Sequence, residues 1–270
     1  MYLYNSAFHQ VLNGSVKLAK AVIRMPCEPS AAFLNNPKAA AFANSLGAID
    51  GSYYGVLVPD QIKERFRNRK GGISFNVCAV VTHDGLFSYM LVGWEGSAHD
   101  MRVFHSAVSR DLHIPEGRYL LADAGYEGAT GLLVPYRGVR YHLQEYGVIN
   151  RRPQHYTELY NLRHSQFRII VEKTFGVHKG TFKIFRQAPK HGIITTIKLI
   201  YATAGIFNFI RGASGVPDTV SNIGEAEGPV NTSNAVDMAE LRNVLALQMW
   251  DEYVQFLEER GQYPLGFNGE

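Results

Sequence analysis

Two β-branched, apolar runs, Phe75–Thr82 and Leu86–Trp94, flank the turn signal His83-Asp84-Gly85. An Asp-Gly pair tolerates positive φ, so the spacing predicts a β-hairpin and commits the chain to a sheet. A third strand signal, Leu46–Val58, is apolar and β-branched around one acid, Asp50. Two shorter ones follow, Tyr119–Ala122 ending in Asp123, and Leu132–Val134. Helical spacing appears between and around them. It places Val11, Leu12, Leu18, Ala19 and Val22 on a helix within residues 1–25, which Met25-Pro26 ends. A short helix is expected around Ala39–Ala43. Ser97, with Asp100 three residues on, has the form of a capping box and predicts a helix through Met101, Phe104 and Val108. Phe167, Ile170, Val171, Thr174 and Phe175 predict a helix over Ser165–Phe182. Ile193, Ile197, Ile200, Ala204 and Phe207 predict another, buried and not membrane-spanning because Lys198, Asn208 and several threonines interrupt it. Leu241, Leu245, Met249 and Trp250 predict a last one within 237–259. Strands, a helix, short strands and then helices describe a mixed α/β layer fold, one central sheet flanked by helices.

The chain has 270 residues, 46% of them hydrophobic, enough to bury one sizeable core. Cys27 and Cys78 form no pair motif, which suits a reducing compartment. The N-terminal segment lacks the charged-then-apolar pattern of a secretory signal. Net charge is only +3, but it is divided. After Gly212 there are ten acidic and two basic residues, net −8; the remainder carries 25 basic and 14 acidic, net +11. A basic body fits a polyanion partner, and equally a solvated basic surface.

Three acids stand where acids are unexpected. Asp50 interrupts an apolar strand and Asp123 ends one, so each would bury or half-bury a charge that needs a partner or a metal. Strand ends in such sheets are where ligand sites form. Glu172 lies on the Ser165–Phe182 helix and shares a face with Arg168 and Lys179, four residues before it and seven after it. Three converging oxygen donors suit Mg²⁺ or Mn²⁺, and two such ions align a nucleophile for in-line attack on a phosphodiester. The same residues admit a structural account: Asp50 a turn residue before Gly51, Asp123 a cap or Asx turn before Gly125, and Glu172 an i, i+4 partner of Arg168.

The local sequences around these acids resemble a known family. Gly47-Ala48-Ile49-Asp50-Gly51 is similar to the first catalytic block of Harbinger (PIF)-type DDE transposases. Gly93-Trp94-Glu95-Gly96-Ser97-Ala98-His99-Asp100, then Val103-Phe104, resembles the next block, and Leu121-Ala122-Asp123-Ala124-Gly125-Tyr126 the second-aspartate block. Tyr160-Asn161-Leu162-Arg163-His164-Ser165, Arg168 and Val171-Glu172-Lys173-Thr174-Phe175-Gly176 resemble the glutamate block. The resemblance spans residues 45–211 in the family's order. It implies an RNase H-like fold, Asp50, Asp123 and Glu172 as catalytic metal ligands for two Mg²⁺ or Mn²⁺ ions, and strand cleavage followed by strand transfer. His99 and Asp100 are candidates for support beside that triad, with helix capping as the other account of Asp100. It further implies a DNA substrate, a Myb-like partner protein that assists DNA binding and nuclear import, multimers on paired ends, a nuclear location and no membrane. Ile169 stands where the family usually has Asn, and His178 where an aliphatic residue is usual.

The family's usual helix-turn-helix region fits residues 1–45 only as a helical remnant. The nuclease domain is expected over 46–211 with an insertion at about 136–165, followed by a flexible acidic linker at 212–235 and a C-terminal helix at 236–270. Two basic groups are candidate DNA contacts. Lys63, Arg65, Arg67, Arg69 and Lys70 precede the second strand and serve as phosphate contacts, an import signal or a solvated loop. Arg137, Arg140, Arg151, Arg152, Arg163 and Arg168 are interleaved with tyrosines between the second and third acids, with Lys179 beyond, a composition suited to single strands or distorted ends. The competing function is a domesticated transposase that binds DNA or protein without cutting. A phosphohydrolase built on His99-Asp100 would need further histidines at ligand spacing, which the sequence lacks.

Overall fold

The structure, a computed structural model, describes residues 2–139, 152–213 and 237–262. Five strands form one mixed sheet: β1 Ser45–Gly55, β2 Ser74–Val81, β3 Phe87–Glu95, β4 Tyr119–Leu121 and β5 Leu132–Leu133, in the order β3-β2-β1-β4-β5. β1, β2 and β3 run antiparallel as a meander, while β4 and β5 join parallel on the other side of β1. The turn at His83-Asp84-Gly85 closes with Gly85 at φ +77°, as the Asp-Gly signal requires.

β2 is buried at every residue because both faces are covered. On one face, in one core with Phe75, Val77, Ala79 and Val81, lie α1 (Tyr2–Val22), α4 (Tyr156–Thr181), α5 (Ile193–Ala213) and α6 (Met238–Glu258): α4 packs on β1 and β2, α5 on β3, α1 on α5, and α6 on α4. On the other lies α3 (Asp100–Arg110), whose Val103, Phe104 and Ala107 meet Cys78, Val80 and Ile49. The intervening short helix α2 spans Ala31–Leu34, and a 3-10 turn at Pro37–Phe42 stands where a helix around Ala39–Ala43 is expected. Ile193–Gly212 is long and apolar enough to cross a membrane. Here it is a core helix: Ile200, Ala202, Ala204 and Phe207 are buried, and Gly205 lets it lie directly on Ala19 of α1.

A bulge at Gly47 sets the face of the most important residues. Gly47 sits at φ +149°, and a Cβ there would lie 2.1 Å from the Val81 carbonyl oxygen. The β1–β4 register shifts between Ser45 and Gly47. Leu46 and Ile49 both pack on the α3 side, three residues apart, whereas strict alternation would separate them. After the bulge, Ala48, Asp50, Ser52 and Tyr54 pair with Val81, Ala79, Val77 and Phe75 and so share the α4 face. One residue of slip would turn Asp50 to the opposite side of the sheet.

The helix carrying Glu172 begins at Tyr156, not Ser165. Its early turns bury Leu159, Tyr160, Asn161 and His164, which leave no apolar period to read. Asn161 and His164 are buried because they satisfy backbone. Asn161 accepts from the Tyr136 N–H (2.8 Å) and donates to its carbonyl (3.0 Å), and His164 Nε2 bonds the Leu133 carbonyl (2.9 Å). The capping box at Ser97 is also corrected: α3 has His99 at the N-cap position with no side-chain cap bond, and Ser97 is exposed. Asp100 is drawn to the sheet instead. α6 packs on α4 and β5 through Ala246, Met249 and Leu257, with the Arg242 guanidinium 4.3 Å from the Tyr136 ring centre. Arg140, Arg151, part of the expected insertion and nearly all of the expected acidic linker lie outside the described residues.

Candidate active site

β1 and β4 run parallel with Ala48 opposite Leu121. Two residues further along stand Asp50, within β1 on the face that α4 covers, and Asp123, just past the end of β4, whose charge acts on Asp50. Chain direction alone therefore brings together two acids 73 positions apart. β1 is buried through Asp50's predecessor and opens from Asp50 to Tyr53, so the acids sit where the cover ends.

Asp50 accepts a hydrogen bond from the Gly51 N–H at 2.7 Å and pairs with Arg168 through Oδ2 at 3.4 Å. Burial raises its carboxyl to about 6; Arg168 and the Gly51 N–H pull it down, and the charges of Asp100 and Asp123 push it up again. Asp123 caps the turn Ala124–Tyr126, accepting from the Gly125 N–H at 2.5 Å. The Asx-turn account is therefore realised, but a carboxylate has about four lone-pair sites and one bond leaves most of them. Arg168, 8% exposed, also donates to Glu172 at 2.7 Å. One guanidinium thus joins the first and third acids, and the i, i+4 pairing of Arg168 and Glu172 is present. Arg168, expected among the DNA contacts, is turned inward to the acids.

Asp100 reaches the same point from the other face. Asn76, buried on the face of β2 towards α3, donates from Nδ2 to Asp100 Oδ1 at 2.8 Å and to the Ala98 carbonyl at 3.0 Å. Gly51 makes room: a Cβ there would lie 2.4 Å from Asp100 Oδ1. His99 is exposed at the N-cap of α3. Among the described residues no three acidic, histidine or cysteine side chains stand close enough together to hold a metal ion. The donor chemistry nonetheless fits a hard divalent cation: carboxylate oxygens only, with like charges acting on the half-buried Asp50.

The basic residues divide. Arg65 pairs with Glu95, Arg67 with Glu64 and Lys63 with Asp60, all exposed, whereas Arg69 and Lys70 have no carboxylate partner among the described residues. Surface pairs of this kind contribute little and yield readily to a phosphate. Arg137 holds the Ala124 carbonyl (2.7 Å) and Glu127, beside Asp123; Arg152 bonds Gln262 (2.7 Å) and Arg163 bonds Gln166 (3.4 Å). Lys179 donates to Ser52 Oγ at 2.7 Å on the Asp50 face. Sequence reasoning missed the roles of Asn76 and Ser52. Asn76 carried a signal, as a lone amide in an apolar run; Ser52 carried none.

A 3-2-1-4-5 mixed sheet with helices on both faces, one acid within its central strand and another just past the end of that strand's parallel neighbour, defines the class: an RNase H-like nuclease fold. The sequence model of the DDE superfamily endonucleases matches residues 49–208, and the chain belongs to that family. Asp50, Asp123 and Glu172 all fall inside the match. Neither a curated protein nor a solved structure matches the chain. Endonucleases of this family generally work with divalent metal ions.

Proposed function

We propose that the chain is a Harbinger-type transposase nuclease that cuts DNA phosphodiesters, and transfers strands, with Asp50, Asp123 and Glu172 as its catalytic acids. The observation that carries this reading is the parallel pairing of β1 with β4, which brings Asp123 close enough for its charge to act on Asp50, with Glu172 tied to Asp50 through Arg168. Asp50, Asp123 and Glu172 would hold Mg²⁺ or Mn²⁺, two ions in the family's manner, which would activate the attacking oxygen and stabilise the leaving one. The chain's own residues do the rest. The Gly51 N–H and Arg168 favour the ionised form of Asp50 against its burial. Asn76 anchors Asp100 as a further negative charge beneath Gly51. Arg168 lends Glu172 and Asp50 a shared positive charge, and Arg69, Lys70 and Arg137 offer cations around the opening for a DNA backbone. The proposal extends to a nuclear location, action as a multimer on paired ends and a Myb-like DNA-binding partner.

The test is nicking of supercoiled DNA across a titration of Mg²⁺ and Mn²⁺, for the wild type and Asp123→Ala. Metal-dependent nicking that Asp123→Ala abolishes, at an unchanged melting temperature, is the expected result. Full activity in the variant would overturn the assignment. DNA binding with no nicking by the wild type would favour a domesticated, non-cutting protein instead.

A further inference from the structure

Trp94 is aimed by a bulge. From Tyr89 to Val92 the strand β3 alternates, with Tyr89 and Leu91 on the α3 side and Met90 and Val92 on the other. Gly93 breaks the alternation at φ +113°, where the β2–β3 register shifts between Asn76 and Cys78. Trp94 therefore packs against the α3-side core instead of following Val92. Unbroken alternation would carry the indole to the face that α5 covers. Bulges beside functional sites re-aim a side chain in this way.

Trp94 stands opposite Asn76, and Asn76 opposite Tyr53 of β1, so the three form a row across the sheet on the α3 side. The central Asn76 is buried, and its amide donates to Asp100 and to the Ala98 carbonyl. The aromatic residues on either side are half-exposed, about 10 Å apart across two strand spacings. α3 begins at Asp100, level with this row, and runs away from it: Asp111, at its C-cap, accepts from the Tyr89 hydroxyl at 2.6 Å. The row is left at the open end of the face, beside Gly51 and hence beside Asp50. The exposed Arg102 guanidinium lies over the Trp94 ring, 5.6 Å from its centre, and has no carboxylate partner among the described residues.

We propose that Trp94, with Tyr53 across the row, is a stacking shelf for an unpaired base of a nucleic-acid strand, and that Arg102 takes the phosphate attached to that base. Every base has a π-face, so such a shelf holds a strand without reading its sequence. The guanidinium is within cation–π range but not in close contact, so a base can take the ring face while the cation turns to the phosphate. That the strand held is the one cut at Asp50 rests on the functional reading above; the shelf itself does not.

Anisotropy in chelator tests the shelf without chemistry, with a labelled oligothymidylate and an abasic strand of the same length, which has the phosphates and no bases. The wild type should bind the base-bearing strand about tenfold more tightly. Trp94→Leu should abolish that preference, and Trp94→Phe should keep most of it. Arg102→Gln should weaken binding of both strands and reduce the slope of log K against log salt by about 0.7. Trp94 and Trp250 are the two tryptophans, so in a Trp250→Phe background Trp94 alone emits. Its fluorescence should be quenched by the oligothymidylate and not by the abasic strand. Should Trp94→Leu fail to fold, the quenching decides alone. Equal wild-type affinity for the two strands, or a preference that Trp94→Leu retains, would overturn the proposal. Nicking by a wild type that does not distinguish the strands removes the shelf and leaves the nuclease. A preference lost in Trp94→Leu, without any nicking, keeps the shelf and removes the cleavage centre.

Discussion

Two polar clusters lie four residues apart on the same face of β1, and they are built on opposite principles. At Tyr54 every group is satisfied. Thr203 donates to the Leu199 carbonyl (2.7 Å), so its oxygen accepts from His178 Nε2 (3.1 Å), which leaves His178 Nδ1 to accept from the Tyr54 hydroxyl (2.9 Å). The chain of bonds needs a neutral imidazole, and burial provides one by lowering His178 to about 3. At Asp50 the opposite holds. Its carboxyl is half-buried, acted on by two other acids and raised to about 6, with Arg168 as partial relief. The first cluster clamps α4 and α5 to the sheet. The second stores unfavourable charge in a place a cation could relieve, which is the pattern of a functional site.

The largest effect should come from the satisfied cluster. His178→Leu leaves the buried Tyr54 hydroxyl without its acceptor and should cost about 1–3 kcal/mol. The double variant Tyr54→Phe/His178→Leu should recover most of that, because both partners are then apolar. Urea unfolding at pH 7.5 measures both, and no recovery in the double variant would show that the hydroxyl is not the orphan. The pH dependence follows from three histidines, His164 and His178 buried and His83 half-buried. His83, His164 and His178 are all lowered to about 3 by burial. Unfolded histidines take up a proton below about 6.5 while the folded ones stay neutral, so their contribution is present above pH 6.5 and lost as pH falls towards 3. Each contributes a slope of about 1.4 kcal/mol per pH unit in that window. His178→Leu should remove one such share between pH 6 and 4; an unchanged slope would contradict a neutral buried His178.

The unsatisfied cluster should answer in the opposite direction. The folded carboxyl of Asp50 is raised above its unfolded value of 3.8, so its contribution is largest below pH 4 and is lost as pH rises through about 6. Asp50→Asn should therefore stabilise the metal-free protein at pH 7.5 by about 1–2 kcal/mol, with little change at pH 4. Melting curves in chelator at the two pH values check it. A destabilised Asp50→Asn at pH 7.5 would mean that Arg168 compensates the charge in full, and the contrast between the clusters would collapse.

How far each cluster could be read from sequence differs for the same physical reason. Strand runs and the Asp-Gly turn announced the meander, because apolar alternation is local. The acids Asp50 and Asp123 stood out as charges in apolar strands. Their meeting depends on parallel pairing of β4 with β1 and on the bulge at Gly47, neither of which a local pattern encodes. The start of α4 was hidden because Asn161 and His164 are buried through backbone bonds made to segments 25 and 31 residues away. The inward turn of Arg168 was half visible, through its spacing from Glu172, while its bond to Asp50 spans 118 positions.

Asp100 is the residue on which sequence and structure assign different clusters, and the smallest expected effect decides between them. Were Ser97 and Asp100 a capping box, Ser97→Ala would cost about 1 kcal/mol, and Asp100 would be a satisfied structural group. In the structure Ser97 is exposed and makes no cap bond, and Asp100 is held by Asn76 beneath Gly51. Ser97→Ala should then leave the melting temperature unchanged, within about 0.5 kcal/mol. Ser30→Ala is the control, because Ser30 does cap its helix, accepting from the Phe33 N–H at 3.3 Å, and should lose about 1 kcal/mol. Equal losses in the two variants would return Asp100 to the helix end and take one negative charge away from Asp50.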